Sequence, residues 1–409
     1  MQGRDMKFRH RVRNWVRRKS REAFHRIAGV APPTHSMTSQ EWIAEHPGDG
    51  SRTVLSGAQS QRFAARKIGG SVEEIDLHFD SLDDDRRSIF QRHVYEPLIR
   101  ELPADVMVCL RDACVGCRGV AAISSDGILL SDLSAVVFQE MSNVPLNRTF
   151  EYAGYLPPLR RLQGTLGVLS YAYANQNYFH FLLECLPKIR LLEESGVVVD
   201  RYYVPYKQIY QQELLELFGI DRGKVIAESD LCFVQADEVY FPSHSDIPRK
   251  ESVRFLFETA KRQSWAKLES GVKKRVYVSR SRMKRRNCLN DDDVMTMLSK
   301  YGFERYHLET MSVREQIQLF QQAEIIVGPH GAGLVNMVFS TPGTMVVEIG
   351  TPFRPYSFFH DLSMASDHVF RWFVASPTDG KGDESNMIVD VPLLESFLKQ
   401  SVLEQGSFA

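Results

Sequence analysis

Residues 325–336 read IIVGPHGAGLVN, the clearest strand-to-helix turn in the chain. The apolar residues before the glycines predict a strand, and a helix is predicted from Leu334 onward. Closely spaced glycines let a ligand approach the backbone, and free N–H groups at a helix N-terminus favour phosphate. Asn336 replaces the third glycine of a dinucleotide fingerprint, and no Gly-Lys-Ser/Thr sequence follows. The turn is therefore either a phosphate site of another kind or an ordinary tight connection.

The segments around this turn alternate between strand and helix. Strands are predicted at 275–279, 303–307, 324–327 and 345–349, and helices at 291–301, 313–322 and 334–339. Alternation at this spacing is typical of βαβ units, which build a parallel sheet with helices on its faces. The sequence thus predicts an α/β fold.

The remainder of the chain shows a less regular pattern. Residues 34–70 are polar and rich in Gly, Ser and Gln, which predicts a linker, and residues 84–102 predict a helix. The further predictions are strands at 106–110, 119–123, 128–130, 135–138, 202–204 and 238–241, and helices at 176–195, 211–218, 251–268 and 392–404. Because strands and helices alternate again after residue 176, the same fold class is predicted there.

Composition and charge limit the class of protein. Apolar residues make up 43% and charged residues 25% of the 409 residues, an ordinary mix for a soluble globular protein of about two to three domains. The formal net charge is −1, which argues against a nucleic-acid-binding protein. Six cysteines and the lack of an 18-residue apolar run predict a reduced, cytosolic protein without a transmembrane helix.

The N-terminal segment departs from this balance. Residues 1–30 carry ten Lys or Arg side chains against Asp5 and Glu22, a local net charge of +8. Two interpretations stay open: a disordered basic tail, or an interfacial helix attracted to anionic lipid. In the second case each cation near the surface contributes about 1 kcal/mol to membrane binding. Peripheral contact with an anionic membrane is therefore a hypothesis for this segment.

A second motif combines a strand with a cluster of cations. Residues 276–287 read VYVSRSRMKRRN, so five Lys or Arg side chains directly follow the strand. Ligands of open α/β sheets bind at the carboxyl ends of strands, and a planar guanidinium pairs with two phosphate oxygens at once. A solvated basic loop is the alternative. Asn290, followed by three aspartates, predicts a helix N-cap with acids in the first turn.

A third motif places polar residues on a helix that is otherwise apolar. Asn177, His180 and Glu184 share one helix face. In a buried helix such a stripe is either hydrogen-bonded for structure or functional. His180 and Glu184 could form a base and its orienting partner. Because the spacing positions no third His or Cys, no metal site is expected.

Taken together, these motifs resemble glycosyltransferase family 61, a family of capsular polysaccharide biosynthesis-type domains. The matching features are Asn177-Tyr178-Phe179-His180 with Glu184 and Pro187, Tyr277-Val278-Ser279-Arg280 with Arg285-Arg286 and Asn290, Glu315-Gln316-Ile317, Gly328-Pro329-His330-Gly331-Ala332-Gly333-Leu334, and Val347-Glu348. Their order and gaps agree over about residues 119–350. Each motif alone is weak, but the combination is specific.

The resemblance implies a GT-B-like α/β fold, with two Rossmann-like domains facing across a cleft. We then expect a basic segment at 1–35, an acceptor-side domain at 36–250, a nucleotide-sugar-binding domain at 251–375 and a helical segment at 376–409. The resemblance further implies an inverting, metal-independent transfer of a hexosyl or pentosyl group. The expected donor is a nucleotide sugar, with uridine diphosphate as the nucleotide, and the acceptor is a hydroxyl group.

The resemblance also implies roles for the residues already singled out. Donor binding is expected from Arg280, Arg286, His330, Gly331, Ala332, Gly333, Asn336 and Glu348. Cations and backbone amides would hold the diphosphate, and Glu348 the ribose hydroxyls. His180 is expected to be the general base assisted by Glu184, although the reverse assignment stays open. Asn177 is expected on the acceptor side, and no metal ion or cofactor is expected.

The expected partners are the nucleotide sugar and a glycan or lipid-linked glycan acceptor, with no nucleic acid. A cytoplasmic enzyme of bacterial surface polysaccharide or glycan biosynthesis, acting at the inner membrane face, fits the lack of a secretory signal and the basic N-terminus. A non-catalytic nucleotide- or glycan-binding protein of the same fold is the alternative. The cationic and imidazole side chains named above argue against it, because a lapsed site has no physical reason to keep them all.

Overall fold

The computed structural model describes residues 33, 35–63, 67–69, 98–116, 121–134, 156–229, 232–245, 247–263, 273–353, 356–378 and 382–403. Within these ranges the fold is mixed α/β, as the sequence predicts, and no helix is long and apolar enough to cross a membrane. The predictions for the basic segment 1–30, for a helix over 84–97 and for a strand at 135–138 lie outside the described residues.

The secondary structure follows the chain in this order. The strands are β1 (Ser36–Met37), β2 (Gly50–Ser56), β3 (Gln59–Phe63), β4 (Lys67–Gly69), β5 (Leu98–Leu102), β6 (Asp105–Arg111), β7 (Cys114–Gly116), β8 (Ala121–Ile123), β9 (Leu129–Leu130), β10 (Arg160–Val168), β11 (Arg201–Val204), β12 (Val225–Ala227), β13 (Phe233–Pro242), β14 (Lys274–Val278), β15 (Phe303–Tyr306), β16 (Ala323–Pro329), β17 (Met345–Gly350), β18 (Val369–Val374), β19 (Ser376–Pro377) and β20 (Met387–Ile388). The α-helices are α1 (Ser39–Glu45), α2 (Tyr178–His180), α3 (Pro187–Glu194), α4 (Ile209–Leu217), α5 (Lys250–Lys261), α6 (Asp291–Ser299), α7 (Val313–Gln321), α8 (Phe358–Ala365) and α9 (Val391–Leu403). A π-helix spans Phe181–Cys185, and 3-10 helices span Arg222–Lys224, Leu308–Thr310, Ala332–Phe339 and Gly382–Glu384.

The chain divides into two compact units. The first unit comprises Met1–Gly57 and Ala104–His244, and the second comprises Ala58–Pro103 and Ser245–Ala409. The chain therefore enters the second unit after Gly57, returns after Pro103, and enters it again after His244. The boundaries predicted by role, at 35, 250 and 375, stay predictions.

Four parallel strands of the first unit lie side by side in the order β13-β10-β11-β12. The chain moves outward from β10 to β12 and then returns to the other side of β10. In open α/β sheets such a reversal marks the place where ligands bind, beyond the carboxyl ends of the strands. In the first unit this switch point lies beyond the ends of β10 and β13. The sheet continues past β13 through β7, β8, β9 and β1, while β6 pairs with β13 and β2.

The main sheet of the second unit is entirely parallel, in the order β15-β14-β16-β17-β18-β4. From β14 the chain first adds β15 on one side and then β16, β17 and β18 on the other. The strand order therefore reverses between β14 and β16. Arg280 follows the end of β14, and His330 follows β16 directly. The sheet thus brings the basic loop and the glycine-rich turn, far apart in sequence, to one edge.

Apolar residues that the pattern places on strands and helices form the cores of the two units. The first unit buries Trp42, Leu110, Leu166, Tyr203 and Val239. The second unit buries Tyr277, Val294, Val327, Val347, Phe373, Leu394 and Leu398. The last two residues belong to α9, so the predicted closing helix packs into the core of the second unit. Strands buried on both faces read as continuous apolar runs, which is why β16 and β17 were recognisable in the sequence.

Two local predictions are wrong. Residues 34–70, predicted as a linker, contain α1 and the strands β1 to β4. The segment is polar because much of β2 is exposed, yet β2 pairs with β6 through its backbone, which needs no apolar side chain. Residues 98–102, predicted as the end of a helix, form β5, which pairs with β3. A partner distant in sequence decides the conformation of these segments.

Two predicted helices exist, but they are not regular α-helices. The helix predicted at 176–195 consists of α2, the π-helix and α3. Pro187 has no N–H group and therefore cannot make an α-helical hydrogen bond to the carbonyl four residues earlier. Just before it, the N–H of Leu186 donates to the carbonyl of Phe181, five residues earlier, at 3.3 Å, which is the hydrogen bond of a π-helix. The helix predicted from Leu334 starts at Ala332 and is a 3-10 helix.

The predicted N-cap at Asn290 is also wrong in its contacts. Asn290 stands at the start of α6, but its side chain makes no capping bond. Its Nδ2 donates to the carbonyl of Val389 at 2.8 Å, and the N–H of Val389 donates back to Oδ1 at 2.9 Å. The side chain therefore ties the end of the basic loop to the segment before α9. Only the fold could supply that partner.

Candidate active site

A guanidinium lies against the backbone of the glycine-rich turn at the switch point of the second unit. A Cβ atom built on Gly331 would lie 2.0 Å from Nη1 and 2.7 Å from Cζ of Arg280. The φ angle of Gly331 is 179°, an extended conformation that any residue adopts. Glycine is therefore needed for this contact because Arg280 approaches so closely, and not because of backbone strain. This contact joins two motifs that lie far apart in the sequence.

The rest of the basic loop holds Arg280 in place. Its Nε donates to the carbonyl of Arg286 at 3.3 Å, and its Nη2 donates to the carbonyl of Arg285 at 3.1 Å. Arg286 has a φ angle of 54°, in the left-handed region that is costly for a residue with a side chain. Its side chain, which is half-buried, was predicted to bind the donor, and that contact stays a prediction. What the structure shows is that the backbone carbonyl of Arg286 accepts a hydrogen bond from Arg280.

The basic loop is in turn fastened to the segment 384–389. The Arg285 guanidinium pairs with the carboxylate of Glu384, and the N–H of Asn287 donates to Oδ1 of Asn386 at 2.9 Å. Backbone bonds from Arg286 to Glu384 and from Leu289 to Met387 continue this pairing. The loop therefore presents Arg280 on a fixed frame, which lowers the cost of ordering it around a ligand.

His330 and Glu348 form a buried pair beside this contact. Nδ1 of His330 is hydrogen-bonded to the Glu348 carboxylate, and the two residues are 5% and 1% exposed. The His330 N–H donates to the carbonyl of Ile349 at 2.8 Å, and the Phe359 ring packs edge-on at 5.1 Å. A carboxylate on Nδ1 fixes the orientation of the imidazole ring. The predicted contact of Glu348 with ribose stays a prediction.

Asn336, also predicted on the donor side, is completely buried behind the turn. Its Nδ2 donates to Oε1 of Gln316 at 2.8 Å and to the carbonyl of Gly333 at 3.1 Å. Gln316 in turn donates to the carbonyls of Leu308 and Met311. This network anchors the 3-10 helix to α7. Gly333 and Ala332 lie in the first turn of that helix, where N–H groups have no partner within the helix.

The first unit carries the other predicted pair. Nδ1 of His180 lies 2.9 Å and 3.0 Å from the two carboxylate oxygens of Glu184. The His180 side chain is 27% exposed and that of Glu184 is 8% exposed. Glu184 lies within the π-helix and His180 directly precedes it; π-helical insertions are frequent at functional sites. Asn177, predicted on the acceptor side, is the N-cap of α2, and its side chain accepts from the Phe179 N–H at 3.0 Å.

Aromatic rings surround His180 at the switch point of the first unit. The ring centroids of Tyr171, Tyr173 and Phe179 lie 6.2, 5.4 and 5.4 Å from that of His180. Tyr171 also packs on His244, which follows β13, at 4.5 Å. Tyr173 is 51% exposed, so its ring is open to solvent. An exposed ring beside a partly exposed imidazole is a suitable platform for the apolar face of a sugar.

Sequence reasoning missed a group of buried polar residues near Glu184. Lys188 is buried, and its Nζ donates to the carbonyl of Ser170 at 2.7 Å. The Ser170 hydroxyl donates to the carboxylate of Glu228. Lys188 lies four residues after Glu184, so the polar stripe of the predicted helix in fact continues through Lys188. That spacing was the available signal; Ser170 and Glu228 gave none.

No group of three or more His, Cys, Asp or Glu side chains in the described part of the chain is arranged to hold a metal ion. The two histidine–carboxylate pairs lie in different units. Each lies at a switch point, the first beyond β10 and β13 and the second beyond β14 and β16. The fold therefore places the residues singled out in the sequence at the two positions where α/β sheets bind ligands.

Comparison with known proteins agrees with the predicted family. A model of the family "Glycosyltransferase 61" matches residues 178–347. This match contains His180, Glu184, Arg280 and His330, and it confirms the resemblance predicted from the motifs. The matched segment crosses from the first unit into the second.

Two curated plant proteins are similar over short segments. "Beta-1,2-xylosyltransferase RCN11" of Oryza sativa subsp. japonica is 46% identical over 39 residues, which cover 10% of this chain and 7% of that protein. "Beta-1,2-xylosyltransferase" of Arabidopsis thaliana is 41% identical over 56 residues, covering 13% of this chain and 10% of that protein. The matches thus span a tenth or less of the length of these relatives.

Proposed function

We propose that the protein is an inverting glycosyltransferase that moves a sugar from a nucleotide sugar to a hydroxyl acceptor. The observation that carries this proposal is the Arg280 guanidinium held against the Gly331 backbone at the switch point of the second unit. A fixed cation beside free backbone N–H groups suits the diphosphate of a nucleotide sugar. The match to glycosyltransferase family 61 supports the same reaction class.

The donor half of the reaction requires stabilisation of the leaving diphosphate. Arg280 and the N–H groups at Gly331 to Gly333 would offset the negative charge that develops on its oxygens. His330, whose ring is oriented by Glu348, would donate a hydrogen bond to a phosphate oxygen. The proposal is metal-independent because these fixed groups supply the charge stabilisation. Asn336 would act as a positioning residue, since its amide holds the 3-10 helix and is buried.

The acceptor half requires a base. In a single displacement the acceptor oxygen forms a bond to the anomeric carbon, the bond to the diphosphate oxygen breaks, and the acceptor proton passes to the base. Nδ1 of His180 is hydrogen-bonded to the Glu184 carboxylate, so Nε2 is the ring nitrogen that would accept that proton. We favour His180 over Glu184 as the base because its side chain is more exposed, at 27% against 8%. Tyr173 would stack against the acceptor sugar.

The finer features of the proposal follow the family resemblance. They are the GT-B arrangement, a uridine diphosphate donor, a glycan or lipid-linked glycan acceptor, and action in the cytoplasm at a membrane face in bacterial polysaccharide synthesis. The xylosyltransferase names of the two plant relatives make pentosyl donors the first to test. The basic segment 1–30 supports the membrane feature through its charge.

The test is thermal unfolding of the purified protein with a panel of nucleotides and nucleotide sugars, with and without a chelator. A ligand at 100 times its Kd stabilises the folded state by about 2.7 kcal/mol. We expect a rise in Tm with uridine diphosphate and its pentosyl derivatives that the chelator does not change. Release of free nucleotide on adding sugar acceptors then measures transfer. A protein that binds these ligands but releases no nucleotide with any acceptor would favour the non-catalytic alternative.

The contact between Arg280 and Gly331 supports a second expected result. Gly331→Ala adds a methyl group at the position of the Arg280 guanidinium, so that group must move away from the turn. The displaced atoms end a flexible side chain, and the Tm without ligand should therefore change little. The Tm shift produced by uridine diphosphate should fall to a small fraction of that of the unmodified protein.

The matched control is Gly57→Ala, because a Cβ atom built on Gly57 meets nothing within 4 Å. This variant should keep both the Tm and the nucleotide response. If Gly331→Ala responded to the nucleotide as the unmodified protein does, the placement of the diphosphate between Arg280 and the turn would be wrong.

A further inference from the structure

The buried ammonium of Lys188 belongs to a chain of polar contacts near Glu184. Nζ of Lys188 donates to the Ser170 carbonyl at 2.7 Å, and the Ser170 hydroxyl donates to Glu228. Ser170 is 1% exposed and Lys188 7% exposed. A charge removed from water to this extent is retained only where opposite charges or hydrogen bonds compensate it. The mechanism proposed above gives Lys188 no part.

Two carboxylates compensate the Lys188 charge. Burial lowers the pKa of Lys188, while Cys185, Glu184 and Glu228 act in the opposite direction. Burial also raises the pKa of the Cys185 thiol, which is therefore neutral, so the opposite charge comes from the two carboxylates. Glu184 precedes Lys188 by one helical turn, and Glu228 follows β12. Glu184 is the same carboxylate that binds Nδ1 of His180. Lys188 and His180 therefore compete electrostatically for one buried carboxylate.

The charges of this group bear directly on proton uptake by His180. With a neutral imidazole, one cation and two carboxylates leave a net charge of −1, and a proton on His180 brings it to zero. A neighbouring cation disfavours a charged imidazole, and a neighbouring carboxylate favours it. Among the described residues, the other titratable groups whose rings lie near His180 are Tyr171 and Tyr173, and His244 packs against Tyr171.

We propose that Lys188 is a positioning residue that sets the proton affinity of His180 through Glu184, with Glu228 as its counter-charge. The proposal rests on the proposed role of His180 as the base. A base is most effective when it is unprotonated at the working pH and still accepts a proton in the transition state. Without Lys188, two carboxylates and no cation would act on the imidazole, and this balance favours its protonated form over the form that can accept a proton.

The experiment is an NMR titration of the protein labelled with ¹³C at the histidine Cε1 positions. His180→Gln identifies the His180 signal by its loss. Lys188→Met removes the cation and keeps most of the side-chain volume. We expect the His180 midpoint to rise by about one pH unit, the scale for charges a few ångströms apart at a protein dielectric near 20. Glu228→Gln removes the opposite charge, and the midpoint should move downward.

The opposite signs separate an electrostatic role from a structural one. A purely structural role for Lys188 would lower Tm in both variants and leave the His180 midpoint in place, and that result would overturn the proposal. If Lys188→Met does not fold, Glu228→Gln decides alone. A lower midpoint supports the proposal, and an equal or higher midpoint contradicts it.

The readout is independent of transfer activity. If no nucleotide sugar binds or reacts, the proposed function fails while the midpoints are still measurable. If transfer is observed, the acidic limb of the pH–rate profile should move with the NMR midpoint in each variant. A limb that stays fixed while the midpoint moves would show that His180 is not the base.

Discussion

Replacement of His180 by alanine is expected to lower kcat by about 10²–10⁴-fold, the usual contribution of a general base. Donor binding should survive, because Arg280, Gly331 and His330 belong to the second unit and His180 to the first. The fold should also survive, since the His180 side chain is 27% exposed. The measurements are nucleotide release under saturating donor and acceptor, and the Tm shift produced by the nucleotide alone.

The matched control is His46→Ala. His46 lies in the same unit, its side chain is 32% exposed, and its Nε2 lies 3.5 Å from a carboxylate oxygen of Asp126, so it resembles His180 in exposure and in partner. We expect this variant to keep kcat within a factor of about two, because His46 is not part of the proposed site. A similar small effect in His180→Ala would remove His180 as the base. A larger loss in Glu184→Gln than in His180→Ala would instead reverse the assignment between the two residues.

Loss of Arg280 is the second change with a large expected effect. Arg280→Ala should abolish the Tm shift produced by uridine diphosphate and lower kcat by about 10²–10³-fold, the scale for one preorganised group that stabilises developing negative charge. The physical reason is that the guanidinium is held at the turn by the carbonyls of Arg285 and Arg286 before any ligand arrives. A free cation of the same charge would first have to be ordered.

Arg282→Ala provides the control for charge alone. Arg282 is exposed in the same loop, so this variant has the same net charge as Arg280→Ala. We expect its nucleotide response to be nearly that of the unmodified protein at physiological ionic strength, where exposed charges are largely screened. Equal losses in both variants would mean that the loop attracts nucleotide by its overall charge and not through one positioned guanidinium. If Arg280→Ala is unstable, Gly331→Ala still displaces the group.

The regular half of the fold could be predicted from apolar periodicity. Residues 323–350 form two strands and an intervening helix because β16 and β17 are buried on both faces and read as apolar runs. The side chain of Ser312 accepts from the N–H of Glu315, and the Glu315 carboxylate accepts from the Ser312 N–H, so the start of α7 is encoded within four residues. Local signals of this kind need no knowledge of the rest of the chain.

The irregular elements could not be predicted in the same way. β5 is a strand because β3 lies beside it, although its sequence also suits the end of a helix. Asn290 stands at a capping position, yet its side chain donates a hydrogen bond to the carbonyl of Val389 instead of capping the helix. In both cases a partner far along the chain competes with the local preference and prevails, since tertiary contacts outweigh propensities of less than 1 kcal/mol per residue.

The candidates for chemistry could be found in the amino-acid sequence, because their residue types and spacings are visible there: Asn177, His180, Glu184, Arg280 and His330. Their contacts depend on the fold. It brings Arg280 to Gly331 and Glu348 to His330, and it places Lys188 near Glu184 and Glu228. The physical reason is that sheet order brings distant strand ends together, and burial then makes each charge depend on its neighbours.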